Sequence, residues 1–242
     1  MKVGLLLAAV AAGASAQPLG FEVASIKPAD PARPIAIRRS GDRISTTSTS
    51  LQFLITWAYD IHAERVYGKP GWLDTARYDV LANGPEGRTP GPRPFGQPGA
   101  LQEMMQTLLA ERFKLKVHRE TRELPLYVLT AAKGGPKVKL SEMPAAIGQS
   151  PFSMPAPGRL VGTQVTAAML AKVLGDQLGR TVRDETGLQG VFDFTLQWEP
   201  EMEGGVSLFT AIQEQLGLKL EGRKGPVEVL VIDHAESVPA EN

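Results

Sequence analysis

Leu101, Met104, Met105, Leu108 and Leu109 recur at intervals of three and four, the spacing that gathers side chains on one face of an α-helix. Leu51, Leu54, Ile55 and Ala58 form a second such stripe, flanked by Trp57 and Tyr59. A third runs through Leu170, Val173, Leu174 and Leu178, and a fourth through Leu208, Ala211, Ile212 and Leu216. Strands show instead as alternation with period two, clearest where Phe192, Phe194, Leu196 and Trp198 interleave with Asp193, Thr195 and Gln197. Residues 113–118 alternate in the same way, as a strand with one wet face does. Residues 21–26, 35–39, 43–46 and 78–82 are short β-prone runs. Residues 124–131 are expected to fold back on 113–118 as a hairpin. Residues 218–221 and 227–233 are expected to make another around Gly222 to Gly225. Thr49 and Gln52 have the spacing of a capping box for the second stripe. Ser207 caps the last helix and Gly217 ends it.

These elements come in the same order twice, about 115 residues apart. Arg43-Ile44-Ser45-Thr46-Thr47 precedes one helical stripe and Arg159-Leu160-Val161-Gly162-Thr163 another. Arg77-Tyr78-Asp79-Val80-Leu81 is echoed by Val191-Phe192-Asp193-Phe194-Thr195. The pattern predicts an α+β protein of two repeated units packed together, each a set of helices on an antiparallel sheet. The expected division is an N-terminal repeat over 17–136, a proline-bearing join at 137–157, a C-terminal repeat over 158–236 and a polar tail at 237–242. Within the first repeat, residues 83–99 hold five prolines and five glycines, which excludes regular structure and predicts a surface loop. Asp79 and Asp193 hold equivalent places, either as a shared structural hydrogen-bonding feature or as the lining of related pockets.

The first sixteen residues read as an export signal: Lys2, an apolar stretch from Val3 to Ala12, and small residues Ala14-Ser15-Ala16 before Gln17. The expectation is cleavage after Ala16 and a periplasmic or extracellular mature chain without a transmembrane anchor. Cysteine is absent, so the fold rests on its core rather than on disulfides. Lys plus Arg and Asp plus Glu each number 26, and zero net charge gives no electrostatic case for nucleic acid.

Convergent chemistry is sparse. His62, His118 and His234 show no spacing that places two imidazoles on one helical face, so no metal site and no cofactor is expected. No Gly-x-Ser-x-Gly elbow follows the leader, and Lys133-Gly134-Gly135-Pro136-Lys137 lacks the ending of a phosphate loop. The most polar cluster is Arg180, Arg183, Asp184 and Glu185, read either as an ion-paired turn or as an acid–base pair. Trp57, Tyr59, Trp72 and Tyr78 read either as core or as an aromatic binding surface. The candidate binding residues are Trp72, Arg77, Arg183, Asp184 and Glu185, with no catalytic residue assigned.

Several phrases together carry a family likeness. They are Phe21-Glu22-Val23-Ala24-Ser25-Ile26-Lys27-Pro28, Gly71-Trp72-Leu73 with Arg77-Tyr78-Asp79, and Leu108-Leu109-Ala110-Glu111-Arg112-Phe113-Lys114-Leu115. Asp184-Glu185-Thr186-Gly187-Leu188 before Phe192-Asp193-Phe194, and Gln215-Leu216-Gly217-Leu218-Lys219-Leu220, complete the set. The chain resembles the Solibacter-type group of exported bacterial proteins, expanded in acidobacteria and classed as a domain of unknown function. Some of that group look joined to a membrane metallopeptidase of the β-lactam-sensor kind, which implies a sensory or interaction role. The run from Ser207 to Ile232 is also similar to the short N-terminal modules of secretins and TonB-dependent receptors, which mediate protein contacts. The expected function is a non-enzymatic extracytoplasmic binding or protein-interaction module with an envelope protein or peptide as partner. The alternative is a secreted hydrolase acting on envelope or environmental polymers.

Overall fold

A computed structural model describes residues 19–85, 99–142, 150–199 and 205–240. The proposed leader, residues 86–98 of the Pro/Gly-rich loop and residues 143–149 of the expected join lie outside the described residues. In the first half the elements are β1 (Val23–Pro28), β2 (Ala36–Ser40), β3 (Arg43–Ser50), α1 (Leu51–Ala58), β4 (Val66–Tyr67), β5 (Arg77–Asn83), α2 (Ala100–Arg112) and β6 (Lys116–Ala131). The second half follows with β7 (Lys139–Leu140), β8 (Phe152–Ala156), β9 (Arg159–Val165), α3 (Ala167–Leu178), β10 (Val182–Asp184), β11 (Phe192–Gln197), α4 (Leu208–Ala211) and β12 (Leu218–His234). The protein is mixed α+β.

Two outer antiparallel sheets have the orders β1-β5-β3-β2 and β7-β11-β9-β8. Between them in the topology lies a sheet of order β10-β6-β12-β4, in which β6 and β12 are antiparallel along nearly their whole lengths. The short strand β4 adds parallel to β12, and β10 adds parallel to β6. Each half therefore lends a short strand to the long strand of the other.

Matching local devices enter the helices. The strand before α1 is interrupted by Ser48 at φ 50°, and the strand before α3 by Gln164 at φ 56°, each at a shift of register with its neighbour. An extra left-handed residue of this kind is costly unless its freed amide is satisfied. Ser48 N donates to Asp79 Oδ1 at 2.9 Å, and Gln164 N donates to Asp193 Oδ1 at 2.8 Å. Asp79 and Asp193 thus perform the same structural hydrogen bonding. At the far end of each half the chain turns through a left-handed residue into its long strand, Lys114 at φ 49° and Gly217 at φ 65°. Glycine is required at the second turn, where a Cβ would lie 2.1 Å from Gly135 O.

The first core packs α1 and α2 over β3 and β5, with Leu54, Tyr78, Leu109 and Phe113 buried, and it takes Leu230 and Ile232 from β12. The second packs α3 and α4 over β9 and β11, with Leu160, Leu174 and Leu196 buried, and it takes Leu129 from β6. Burial of each large side chain contributes about 1.5–3 kcal/mol. The central sheet belongs to both cores.

Three expectations are corrected. Residues 113–131 and 218–233 do not form two local hairpins, because β6 and β12 run straight through the anticipated turns and pair with each other. Gly222 and Gly225 have no positive φ and stay extended, and charges such as Arg119 and Glu228 find partners across the ladder. The cap of α1 is Ser50, whose side chain accepts from Phe53 N at 3.2 Å, whereas Thr49 is buried in the β3–β5 pairing. The stretch 137–157 also contributes β7 and β8, the two edge strands of the third sheet. An edge tolerates Pro155, which would remove a ladder donor from a central strand.

Candidate functional site

Along the face that β6 and β12 share with both cores, the apolar pattern lapses midway. Arg119, Thr121, Glu123 and Pro125 occupy alternate positions of β6, opposite Leu230, Glu228, Pro226 and Lys224 of β12. A polar stretch of sheet between two apolar ends cannot be closed over by a core, so the two cores separate there. A cleft of about 320 Å³ opens at this waist, lined by residues including Arg119 and Glu228 from the sheet.

One wall is α3, whose Ala168, Lys172, Gly175 and Asp176 fall on one face by their spacing. The other is the turn after α1. Asp60 adopts φ 49°, tolerable for a short polar side chain, and Ile61 N donates to Thr56 O at 3.0 Å. This reversal brings Tyr59, Asp60 and His62 to the cleft, and a single 3₁₀ turn, Ala63–Arg65, then adds Arg65.

The walls are tied by charge. Lys172 Nζ lies 3.2 Å from Asp60 Oδ1 and 3.8 Å from Asp176 Oδ2, while His62 Nε2 lies 2.9 Å from Asp176 Oδ1. Arg119 Nη1 is paired with Glu228 Oε1 across the central ladder. Burial pushes the Tyr59 phenol up, partly offset by the Arg119 charge, so it is held protonated as a hydrogen-bonding group.

Arg65 stands apart from these pairs. Its Nη1 makes a long contact of 3.4 Å to Glu228 O, and its buried Nε has no hydrogen-bond partner among the described residues. Burial lowers its pKa, an effect opposed by the charge of Glu228. Beside the cleft is a smaller hollow of about 180 Å³ that shares His62, Arg65 and Thr181 with it.

The five residues singled out from the sequence line neither cavity. Trp72 packs partly buried against the first core, and Arg77 Nη1 donates to Asp74 O at 2.5 Å. Arg183 Nη2 donates to Pro226 O at 2.8 Å. Asp184 Oδ1 accepts from Thr186 N at 2.9 Å and from Thr186 Oγ1 at 2.7 Å, and Glu185 Oε2 is 3.0 Å from Arg223 Nη1. The last three are adjacent on and after β10, separate in the fold from Trp72 and Arg77, which belong to the first half. Of the residues lining the cleft, the sequence alone marks Tyr59 as an aromatic and His62 as a histidine, while Asp60, Arg65, Arg119, Lys172, Asp176 and Glu228 stand in no motif. Lys172 and Asp176, four apart on a helix, were the one local signal available.

Among the described residues no group of three or more His, Asp or Glu side chains is placed to hold a metal ion, and no helix is long and apolar enough to cross a membrane. No curated protein and no solved structure matches the chain. A family model does match, from residue 52 to residue 235, and so takes in both walls and the floor of the cleft: the chain belongs to the family described as "Protein of unknown function (DUF3738)".

Proposed function

We propose that this protein is an exported, non-enzymatic binding module, made by duplication of an α+β unit, whose ligand enters the cleft between the two halves. The observation that carries the reading is the cleft itself, where both halves and the shared sheet supply side chains around about 320 Å³. That volume suits a small polar molecule or the end of a peptide. Binding is favoured over catalysis because the carboxylates present are engaged: Asp60 and Asp176 by Lys172, Asp176 by His62, and Glu228 by Arg119. Duplication is supported by the identical strand orders of the outer sheets and by the paired roles of Asp79 and Asp193. Export is supported by the tripartite leader ending at Ala16.

The test is a protein-observed NMR screen of the chain from Gln17 onward against amino acids, di- and tripeptides, sugars and nucleotides. The reading expects at least one class to shift the backbone amides of Gly175, Asp176 and Thr181 saturably while the compound itself is recovered unchanged. Turnover of the compound, or no saturable shift at these amides from any class, rejects it. Recovery of the protein from the periplasm with Gln17 as its first residue checks the address, and an intact Met1 in the cytoplasm contradicts it.

A further inference from the structure

The smaller hollow has a chemistry of its own. Its lining combines an apolar surface from Leu124, Pro125 and Val227 with the side chains of Arg65 and Arg180. Within this lining one carboxylate, Glu64, stands with His62 against the two guanidinium groups, and Glu228, Asp60 and Asp176 act on Arg65 from the adjoining cleft. Neither arginine has a carboxylate within ion-pairing distance among the described residues. Arg180 is exposed, its guanidinium 5.1 Å from the centre of the Tyr127 ring, and Arg65 holds the orphaned Nε already described. A half-buried guanidinium without an ion-pair partner is destabilising to the free protein, and an arriving anion that pairs with its accessible edge offsets that cost.

We infer that this hollow seats a carboxylate carried on a compact apolar group, with Arg65 and Arg180 reading the charge and Leu124, Pro125 and Val227 holding the apolar body. The inference deepens the binding function proposed above and rests on it. A volume of about 180 Å³ accommodates a body the size of a benzene ring or a short branched chain, since a cavity of roughly 150 Å³ takes up benzene. The planar fork of a guanidinium matches the two oxygens of a carboxylate. Glu64 in the same lining repels a doubly charged phosphate about twice as strongly as a singly charged carboxylate. Such a carboxylate occurs at the C-terminus of a peptide ending in an apolar residue and on free aliphatic acids.

The experiment titrates the same NMR sample with N-acetyl-leucine, N-acetyl-leucine methyl ester, hexanoate, acetate and inorganic phosphate, following the amides of Arg65, Gly179 and Thr181. Saturable shifts are expected with N-acetyl-leucine, with hexanoate or with both, at least about tenfold tighter than with the ester, acetate or phosphate. Tighter binding of N-acetyl-leucine assigns the site to peptide ends, and tighter binding of hexanoate assigns it to free acids; both support the inference. An ester or phosphate that binds as well as the acids overturns it, as does absence of saturable shifts with either acid. Arg65→Met is expected to weaken acid binding at least about tenfold while leaving the melting temperature unchanged or higher, which a purely structural arginine would not do. Arg180→Gln, an exposed change, is expected to weaken binding several-fold, and undiminished binding in both variants overturns the assignment. If library compounds shift Gly175 and Asp176 but the acids leave Gly179 and Arg65 unmoved, only this inference falls. If nothing shifts either set, the binding function falls with it.

Discussion

Replacing Gly162 by alanine would place a methyl group 2.4 Å from Cε1 and 2.6 Å from Cζ of Phe194, its cross-strand partner in the third sheet. Ordinary carbon contacts need about 3.5–4.0 Å, so the ring must retreat by roughly 1 Å. Its freedom is small, because Phe194 is 9% exposed and its ring is tilted against that of Phe152 at 6.5 Å. Overpacking of this kind costs about 1–3 kcal/mol. The lost flexibility of the unfolded chain returns about 0.4–1 kcal/mol, since Gly162 has no positive φ to forbid alanine. The net expectation is about 1–2 kcal/mol of destabilisation, or a melting temperature lower by roughly 2–8 °C for a chain of this size. Gly222 provides the matched control. It also lies opposite an aromatic residue, Tyr127, but a Cβ there would come no closer than 4.0 Å to the ring. Gly222→Ala should therefore raise the melting temperature by about 1–4 °C. Differential scanning calorimetry of the two variants beside the parent decides the matter. A Gly162→Ala protein as stable as Gly222→Ala would refute the packing argument.

Four further outcomes are expected. Phe113→Ala removes a fully buried ring set edge-on to Tyr78 at 4.9 Å and should cost about 3–5 kcal/mol in urea unfolding. The carboxylate of Asp233 raises the pKa of His118, so its contribution is complete below pH about 6.5 and fades as pH rises through the higher folded-state value. His118→Gln should flatten the stability profile in that window, and an unchanged slope between pH 6 and 8 would contradict the assignment. The Ser48 amide, with Arg33, lowers the pKa of Asp79, so its contribution is present above about pH 4 and is lost as pH falls through the depressed value. Asp79→Asn should blunt acid unfolding there, seen by circular dichroism from pH 5 to 2. Finally, a double-mutant cycle of Lys172→Met with Asp60→Asn should return a coupling of about 0.2–1 kcal/mol, because both side chains are about one-third exposed; a coupling of zero would mean the pair does not join the halves.

Much of the local structure was legible along the chain. The buried faces of α1 and α2, the alternation of β11, the Ser207 cap and the left-handed Gly217 all follow from side-chain period and backbone preference acting over a few residues. Asp79 and Asp193 could be recognised as equivalents, although their amide partners, 31 and 29 residues away, could not. The long-range pairing was not legible. Residues 113–131 and 218–233 suit a local hairpin and a distant ladder equally well in composition, and only the availability of β12 beside β6 chose the ladder. The cleft lies further still from view, since its lining comes from the turn after α1, from Arg119, from α3 and from Glu228. Local sequence determines which face of each element seeks burial, because that depends on neighbours three or four residues away. Which polar groups are left facing one another is decided by how the buried faces meet, and that information exists only in the tertiary structure.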